Sequence, residues 1–363
     1  MIPRIAIISA SSQVGASTAL YLRVFKKANL IAYSRTAYPA PFFDAMGIPH
    51  RILPIDRDAQ REELAQFDLV VDFSVPHAEF WENKAILRAH LTGLFESLRP
   101  GTLFISMSTQ NAFGFRDNDV FIRKRLTDWA SPYCSLKRHG ERLARRLGRK
   151  RRVQVFNFRL SQVHGFLQSV SHRFCEEISG SKSLMVAGLA TDRVNTMFIS
   201  DLGEAILQIA SGQLRPGNYS VLSVPQWTQE QLYRYYQDWC RSDCDVVFIG
   251  HKSRSTLAAR GISHLARAVE KHRGFIDVAI LQRLPRIAAR AKGIHRIRSF
   301  TRQPATQGPV VHRNLLGKPP LPILGDPRGS PTSVLVRERR MEETWLSALG
   351  SAVHYSPPLT SEA

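Results

Sequence analysis

The chain has 363 residues, 44% of them hydrophobic and 22% charged, which is globular composition with material for one large domain or two smaller ones; it excludes disorder throughout. Its formal charge of +20 is unevenly placed: residues 251–310 hold 13 Lys or Arg against two acids, and residues 137–152 hold nine against one. Fields of this sign attract phosphorylated ligands, nucleic acid or anionic lipid, and they carry no information about fold.

In chain order, strands are predicted at residues 4–9, 30–34, 50–54, 69–73, 102–107 and 152–158, with helices between them at 13–26, 58–66, 79–98 and 133–147. Short β-branched runs that alternate with longer amphipathic stretches predict an α/β fold whose parallel sheet is covered on both faces. The connections suit right-handed crossovers, so residues 1–165 are expected to form a doubly wound, Rossmann-type sheet, with a return to it near 194–212. Residues 166–300 read as a smaller C-terminal α/β cap. It is expected to include 218–222, 229–239 and 246–249, then two amphipathic helices at 253–271 and 275–291 with arginines on their polar faces. Residues 301–363 form a Pro-rich basic tail, with Pro304, Pro309, Pro319, Pro320, Pro322, Pro327 and Pro331, which predicts extended linker rather than further core. A short helix is expected near 338–349.

The first strand runs into Ser9-Ala10-Ser11-Ser12-Gln13-Val14-Gly15 and then a helix, the place where a doubly wound fold binds a pyrophosphate on helix N-terminal amides. A full glycine fingerprint would put Gly at positions 9, 12 and 15; here Ser9 and Ser12 precede the single Gly15. The second strand ends at Ser34-Arg35, where a guanidinium stands in place of the acid that usually meets NAD ribose hydroxyls, so NADP is favoured over NAD. Asp56, after the third strand, is positioned to accept from an adenine amino group or to cap a helix. Phe73 and Ser74, at the end of the fourth strand, complete the expected cofactor set.

Tyr133 and Lys137 lie four apart at the start of a predicted helix, so the phenol and the ammonium share one face, and the cation is expected to lower the phenol's pKa toward working pH. The fifth strand delivers Ser108 and Thr109 to the carboxyl edge of the sheet 24 residues earlier. In that arrangement Tyr133 is the acid or base, Lys137 tunes it and holds the nicotinamide ribose, and Thr109 orients the substrate.

Five segments together carry a family resemblance: the turn around Gly15, the block Phe104-Ile105-Ser106-Met107-Ser108-Thr109-Gln110-Asn111-Ala112-Phe113-Gly114, the Tyr133–Lys137 pair, the segment Phe158-Arg159-Leu160-Ser161-Gln162-Val163-His164-Gly165, and Phe198-Ile199-Ser200-Asp201-Leu202-Gly203-Glu204-Ala205. Over about residues 4–240 the chain resembles the extended short-chain dehydrogenase/reductase family, whose epimerases, dehydratases and reductases modify nucleotide sugars. The resemblance implies an NAD(P)-dependent enzyme that transfers hydride at a sugar ring carbon, as a reductase or an epimerase, in polysaccharide biosynthesis. The catalytic hydroxyl falls on Thr109, five residues before Gly114, with Ser108 as a substitute; Ser108, Thr109 and Gln162 would touch the substrate, and Asp201 has a structural role. The family's helix-four asparagine falls on His90, its late asparagine on Gln162, and its Gly-Pro on Gly165-Phe166. Gln110 and Asn111 replace the acidic pair of dehydratases, which disfavours elimination. The alternative is a non-catalytic dinucleotide-binding sensor or scaffold of the same fold.

Four scattered cysteines and histidines without ligand spacing point to reduced thiols and no metal. With no run of 18 apolar residues and no signal-like start, a cytoplasmic protein is expected. The expected partner is a nucleotide-sugar substrate; a homodimer and a peripheral contact of the basic helices with an anionic membrane face stay open, and no specific nucleic-acid binding is expected. The aromatic residues Tyr233, Tyr235, Tyr236 and Trp239 read as core.

Overall fold

The computed structural model of the protein describes residues 3–75, 80–110, 132–250, 322–327 and 329–349. Alternation along each short apolar run sends successive side chains to opposite faces of the sheet. On β1 (Arg4–Ile8), Ile5 and Ile7 enter one apolar layer while Ala6 and Ile8 enter the other. The same division holds on β2 (Asn29–Ser34), β4 (Leu69–Asp72) and β5 (Leu103–Thr109). The first layer is closed by α1 (Gln13–Leu20), by a π-helical continuation at Tyr21–Phe25, and by α7 (Ile199–Ala210). Helices α3 (Arg57–Leu64), α4 (Phe80–Ser97) and α5 (Pro132–Arg151) close the second. A fully buried Leu, Ile or Phe contributes roughly 1.5–3 kcal/mol, against about 0–1 for an exposed ion pair, so these two layers and not the surface charge hold the sheet.

With β3 (His50–Ile52), β6 (Gln154–Leu160), β10 (Gly217–Val221) and β12 (Ile323–Leu324), the main sheet has eight parallel strands in the order β12-β10-β6-β5-β4-β1-β2-β3. The strand order reverses between β1 and β4, where a doubly wound sheet opens its crevice. The expected fold is therefore present, with the Rossmann-type order.

The smaller part comprises β7 (Gln162–His164) paired with β9 (Thr196–Phe198), β8 (Ser183–Val186) paired with β11 (Asp245–Phe248), and the helices α6 (Ser169–Ser179) and α8 (Gln229–Cys240). Tyr235, Tyr236 and Trp227 are its buried centre, and Tyr233 and Trp239 pack against it.

Two expectations are corrected. Residues 217–221 pair with β6 in the main sheet and do not belong to the cap. The tail is not only linker: Pro322 O accepts from Ser220 N at 3.0 Å, residues 323–324 form the eighth strand, and α9 runs over Pro331–Leu349. Pro331 tolerates the first helical position because the amide it lacks would be unpaired there in any case. A short helix, α2 (Ala40–Ala45), stands where no element was expected, with Pro39 at its N-cap and Pro41 in its first turn. The helices expected at 253–271 and 275–291 lie outside the described residues, as does 111–131. Among the described residues no helix is long and apolar enough to cross a membrane, and no group of three His, Cys, Asp or Glu is placed to hold a metal.

Candidate active site

At the carboxyl end of β1 the chain turns through Ser9, whose φ of 56° is the left-handed conformation that favours glycine. Ser12 then caps α1, its hydroxyl accepting from Gly15 N at 3.1 Å. A Cβ on Gly15 would stand 2.9 Å from Ser9 O and 3.0 Å from Ala10 Cα, so the helix can start this close to the turn only without a side chain. Gln13 O accepts from Ser17 Oγ at 2.8 Å and from Gln168 Nε2 at 3.2 Å, which ties the turn to the segment before α6. Val14 packs on the first apolar layer. The hydroxyls of Ser9 and Ser74 meet at 2.7 Å, joining the β1 turn to the segment after β4.

Ser34 and Arg35 close β2. The Ser34 hydroxyl is buried and lies 2.8 Å from His50 Nε2, while Arg35 is exposed. Asp56 caps α3, accepting from Asp58 N at 3.1 Å and Ala59 N at 2.9 Å, which is the capping alternative of the two roles expected for it. Phe73 is buried in the first apolar layer.

A pocket opens between the ends of β4 and β5 and helix α5, lined among others by Asp72, Ser74, Met107, Leu136, Lys137 and Gly140. Lys137 Nζ donates to Met107 O at 2.9 Å and stands 5.7 Å from the centre of the Tyr133 ring. Burial pushes Lys137 down to about 8, against the pull of Asp72 and Glu141. Tyr133, one helical turn before Lys137 on α5, keeps 49% of its surface open, yet the surrounding chain desolvates its phenol enough to push it up to about 12. The expected acidification by Lys137 is thus corrected: desolvation raises the phenol, Cys134 adds to the rise, and the Lys137 ammonium is committed to the Met107 carbonyl.

Thr109 ends β5, opposite Leu160 of β6. The neighbouring Ser108 points to the other face, where its hydroxyl donates to Glu141 Oε1 at 2.7 Å; Glu141 also takes Arg159 through two contacts of 2.9 Å. Gln162 opens β7, exposed, and does not line the pocket. Asp201 accepts from Phe198 N at 2.8 Å, Ser223 Oγ at 2.7 Å and Asp326 N at 3.0 Å, joining α7 to the tail.

Of the expected site residues, Ser74 and Lys137 line this pocket, the Ser9–Ser74 contact joins the β1 turn with Ser12 and Gly15 to it, and Tyr133 and Thr109 are not among its lining residues. Sequence reasoning missed Asp72. It is 4% exposed, pairs with His90 Nε2 at 3.2 Å and accepts from Ser74 N at 2.9 Å. Burial opposes its charge, but these donors hold the carboxyl below the ordinary range; His90, which burial alone would lower, is raised by Asp72. The readable signal was an acid ending an otherwise apolar strand beside the crevice.

The sequence model of the NAD dependent epimerase/dehydratase family matches residues 10–221, more than half of the chain. The chain belongs to that family. Membership makes it an enzyme of the extended short-chain dehydrogenase/reductase type, consistent with the strand order and with the crevice at its reversal. No curated protein matches the chain in sequence. Among solved structures, UDP-N-acetylglucosamine 4-epimerase from Bacillus cereus is similar with a TM-score of 0.52 at 13% identity, over 77% of this chain and 99% of that one. UDP-glucuronic acid 4-epimerase from the same organism, solved with NAD, has a TM-score of 0.51 at 14% identity, over 68% of this chain and 87% of that one. At such identities the likeness shows the fold alone.

Proposed function

We propose that the protein moves hydride between a nicotinamide dinucleotide and a ring carbon of a nucleotide-linked sugar, while Tyr133 passes a proton to the oxygen on that carbon. The observation that carries this reading is the Tyr133–Lys137 pair, one helical turn apart on α5, with the ammonium 5.7 Å from the phenol ring beside the pocket at the carboxyl edge of the sheet.

The dinucleotide fits the turn after β1, since the left-handed residue, the capped helix start and the Gly15 close approach leave a helix N-terminus facing the crevice. The Gly15 amide is taken by Ser12, so the amides of Gln13 and Val14 would meet the pyrophosphate. Arg35, exposed at the end of β2 with no acid beside it, would hold a 2′-phosphate, which favours NADP. The bound nicotinamide supplies or accepts the hydride. Lys137 holds ribose hydroxyls, Thr109 hydrogen-bonds the reacting oxygen, and Tyr133 gives it a proton. Serines at two of the three fingerprint-glycine positions speak against a tightly held cofactor that would take and return hydride, which favours a reductase over an epimerase. The sugars would be those consumed in polysaccharide synthesis, linked to a nucleoside diphosphate such as UDP.

The test is a fluorescence titration with NADPH and NADH, followed by turnover of a panel of 4-keto nucleotide sugars with the parent protein and Tyr133→Phe. NADPH binding with turnover lost in the variant is expected. Binding without turnover of any panel member would favour the scaffold, for which the serines at two fingerprint-glycine positions speak.

A further inference from the structure

Two carboxylates act on Lys137, and the structure gives them different employment. Glu141, on the lysine's own helix, is fully buried and committed twice over, to Arg159 in a two-contact pair and to the Ser108 hydroxyl. Asp72 comes from another element. It ends β4, pairs in register with Ser106 of β5, and lines the same pocket as Lys137, which is anchored to the carbonyl of the next residue, Met107. One oxygen of Asp72 is held by the Ser74 amide, and both lie near His90 Nε2, at 3.2 and 3.4 Å. An acid that packing alone required would have no reason to face a pocket that holds a buried amine.

We propose that Asp72, pinned by His90 and the Ser74 amide, is the counter-charge that holds Lys137 as an ammonium in the pocket, and that His90 sets how much of that charge the lysine receives. Asp72 is thus a positioning residue: it acts through Lys137, and the proposal rests on the reading of Lys137 as the lysine that holds the ribose. The balance follows from the charges around it. As an imidazolium, His90 neutralises Asp72 from the α4 side; as it loses its proton the carboxylate is left to the lysine. Arg35 and Arg57 face His90 and work against its protonation. Tyr133 presents its ring to the ammonium, and the Lys137 amine sits near 8, in the range where one neighbouring charge changes its state at physiological pH.

The experiment is a carbon NMR titration of full-length protein labelled at the lysine ε-carbons, with Lys137→Arg to assign the signal and no nucleotide added. In the parent, Lys137 is expected to titrate near 8. In Asp72→Asn, which keeps the Ser74 contact and removes the charge, the ammonium-to-amine ratio at a fixed pH is expected to fall roughly tenfold, the scale of one buried charge pair. In His90→Gln the midpoint is expected to hold or rise, because a donor remains and the competing cation is gone. A midpoint unmoved in Asp72→Asn overturns the proposal, and so does an equal fall in both variants, which would report loosened packing. Should Asp72→Asn not fold, the reciprocal measurement decides: in Lys137→Met the His90 imidazole is expected to titrate higher, and an unchanged His90 overturns the coupling. Because no sugar or nucleotide enters the titration, a failed substrate panel alongside a shifted Lys137 would overturn the proposed function and leave the counter-charge standing.

Discussion

Gly15 is where backbone meets backbone in the candidate site. A methyl group there would press on Ser9 O at 2.9 Å and on Ala10 Cα at 3.0 Å, and main-chain atoms at the root of a helix cannot swing aside as a long side chain can. Gly15→Ala is therefore expected to tilt α1 away from the turn, weakening NADPH binding at least ~10-fold and lowering stability by about 1–3 kcal/mol, read from fluorescence titration and urea unfolding. Tyr133→Phe removes one hydroxyl from a half-exposed side chain, so turnover should fall ~10²–10⁴-fold while NADPH affinity stays near the parent value. The pH dependence follows from the two titrating groups. Lys137 loses its proton through about 8, well before Tyr133 at about 12, so kcat/KM is expected to fall as pH rises above about 8. A profile flat to about pH 10 would remove Lys137 from the reaction. The tyrosine and lysine were legible because a spacing of four fixes a shared helical face in any fold. The direction of the phenol's shift was not, because desolvation depends on what the rest of the chain places around the ring.

Helix α5 is fastened to β6 by a charge as well as by apolar contact. Glu141, wholly buried, receives Arg159 through two contacts of 2.9 Å and the Ser108 hydroxyl at 2.7 Å. Removing one member strands the other charge in the interior, so Arg159→Met is expected to cost about 3–5 kcal/mol in urea unfolding. Adding Glu141→Gln to it should recover much of that loss, because no buried charge remains. Neither residue could be paired from the sequence: 18 positions and the turn from α5 into β6 separate them, and Glu141 stands among nine basic residues of which any could have claimed it. The strands of the sheet were readable for the opposite reason, since their β-branched runs report burial locally. Residues 217–221 could not be assigned to the main sheet because pairing with β6 is a long-range choice that a five-residue run does not encode.

At the scale of the whole molecule, the tail closes the structure on a titratable group. Helix α9 buries Val334, Glu338 and Met341 and packs Trp345 on the core, a stripe at helical spacing with a carboxyl at its centre. That carboxyl, following a run of prolines, is why the stripe did not read as core. Glu338 Oε2 accepts from Phe166 N at 3.0 Å, and Gly165, at φ 142°, leaves no room beyond it: a Cβ there would stand 3.0 Å from the same oxygen. Burial pushes Glu338 up to about 8, Asp201 adds to the rise, and the amide of Phe166 and the charge of Arg337 only partly oppose it. Beside it Arg337 pairs with Asp326, so the nearest cation is already engaged. The protonated form is thus the one that packs, and the unfolded chain, with an ordinary glutamate, releases its proton first. The stabilising contribution is complete below the unfolded value near 4.5 and is lost as pH rises through about 8. Glu338→Gln keeps an acceptor for Phe166 and has no proton to lose. Its urea midpoint is therefore expected to exceed the parent's by an amount that grows with pH, from little at about pH 5 to the equivalent of a few kcal/mol at about pH 9. A difference that does not change between those two conditions would show that Glu338 stays neutral, or stays charged, throughout. A difference that shrinks as pH rises would mean that Arg337 holds the carboxylate after all.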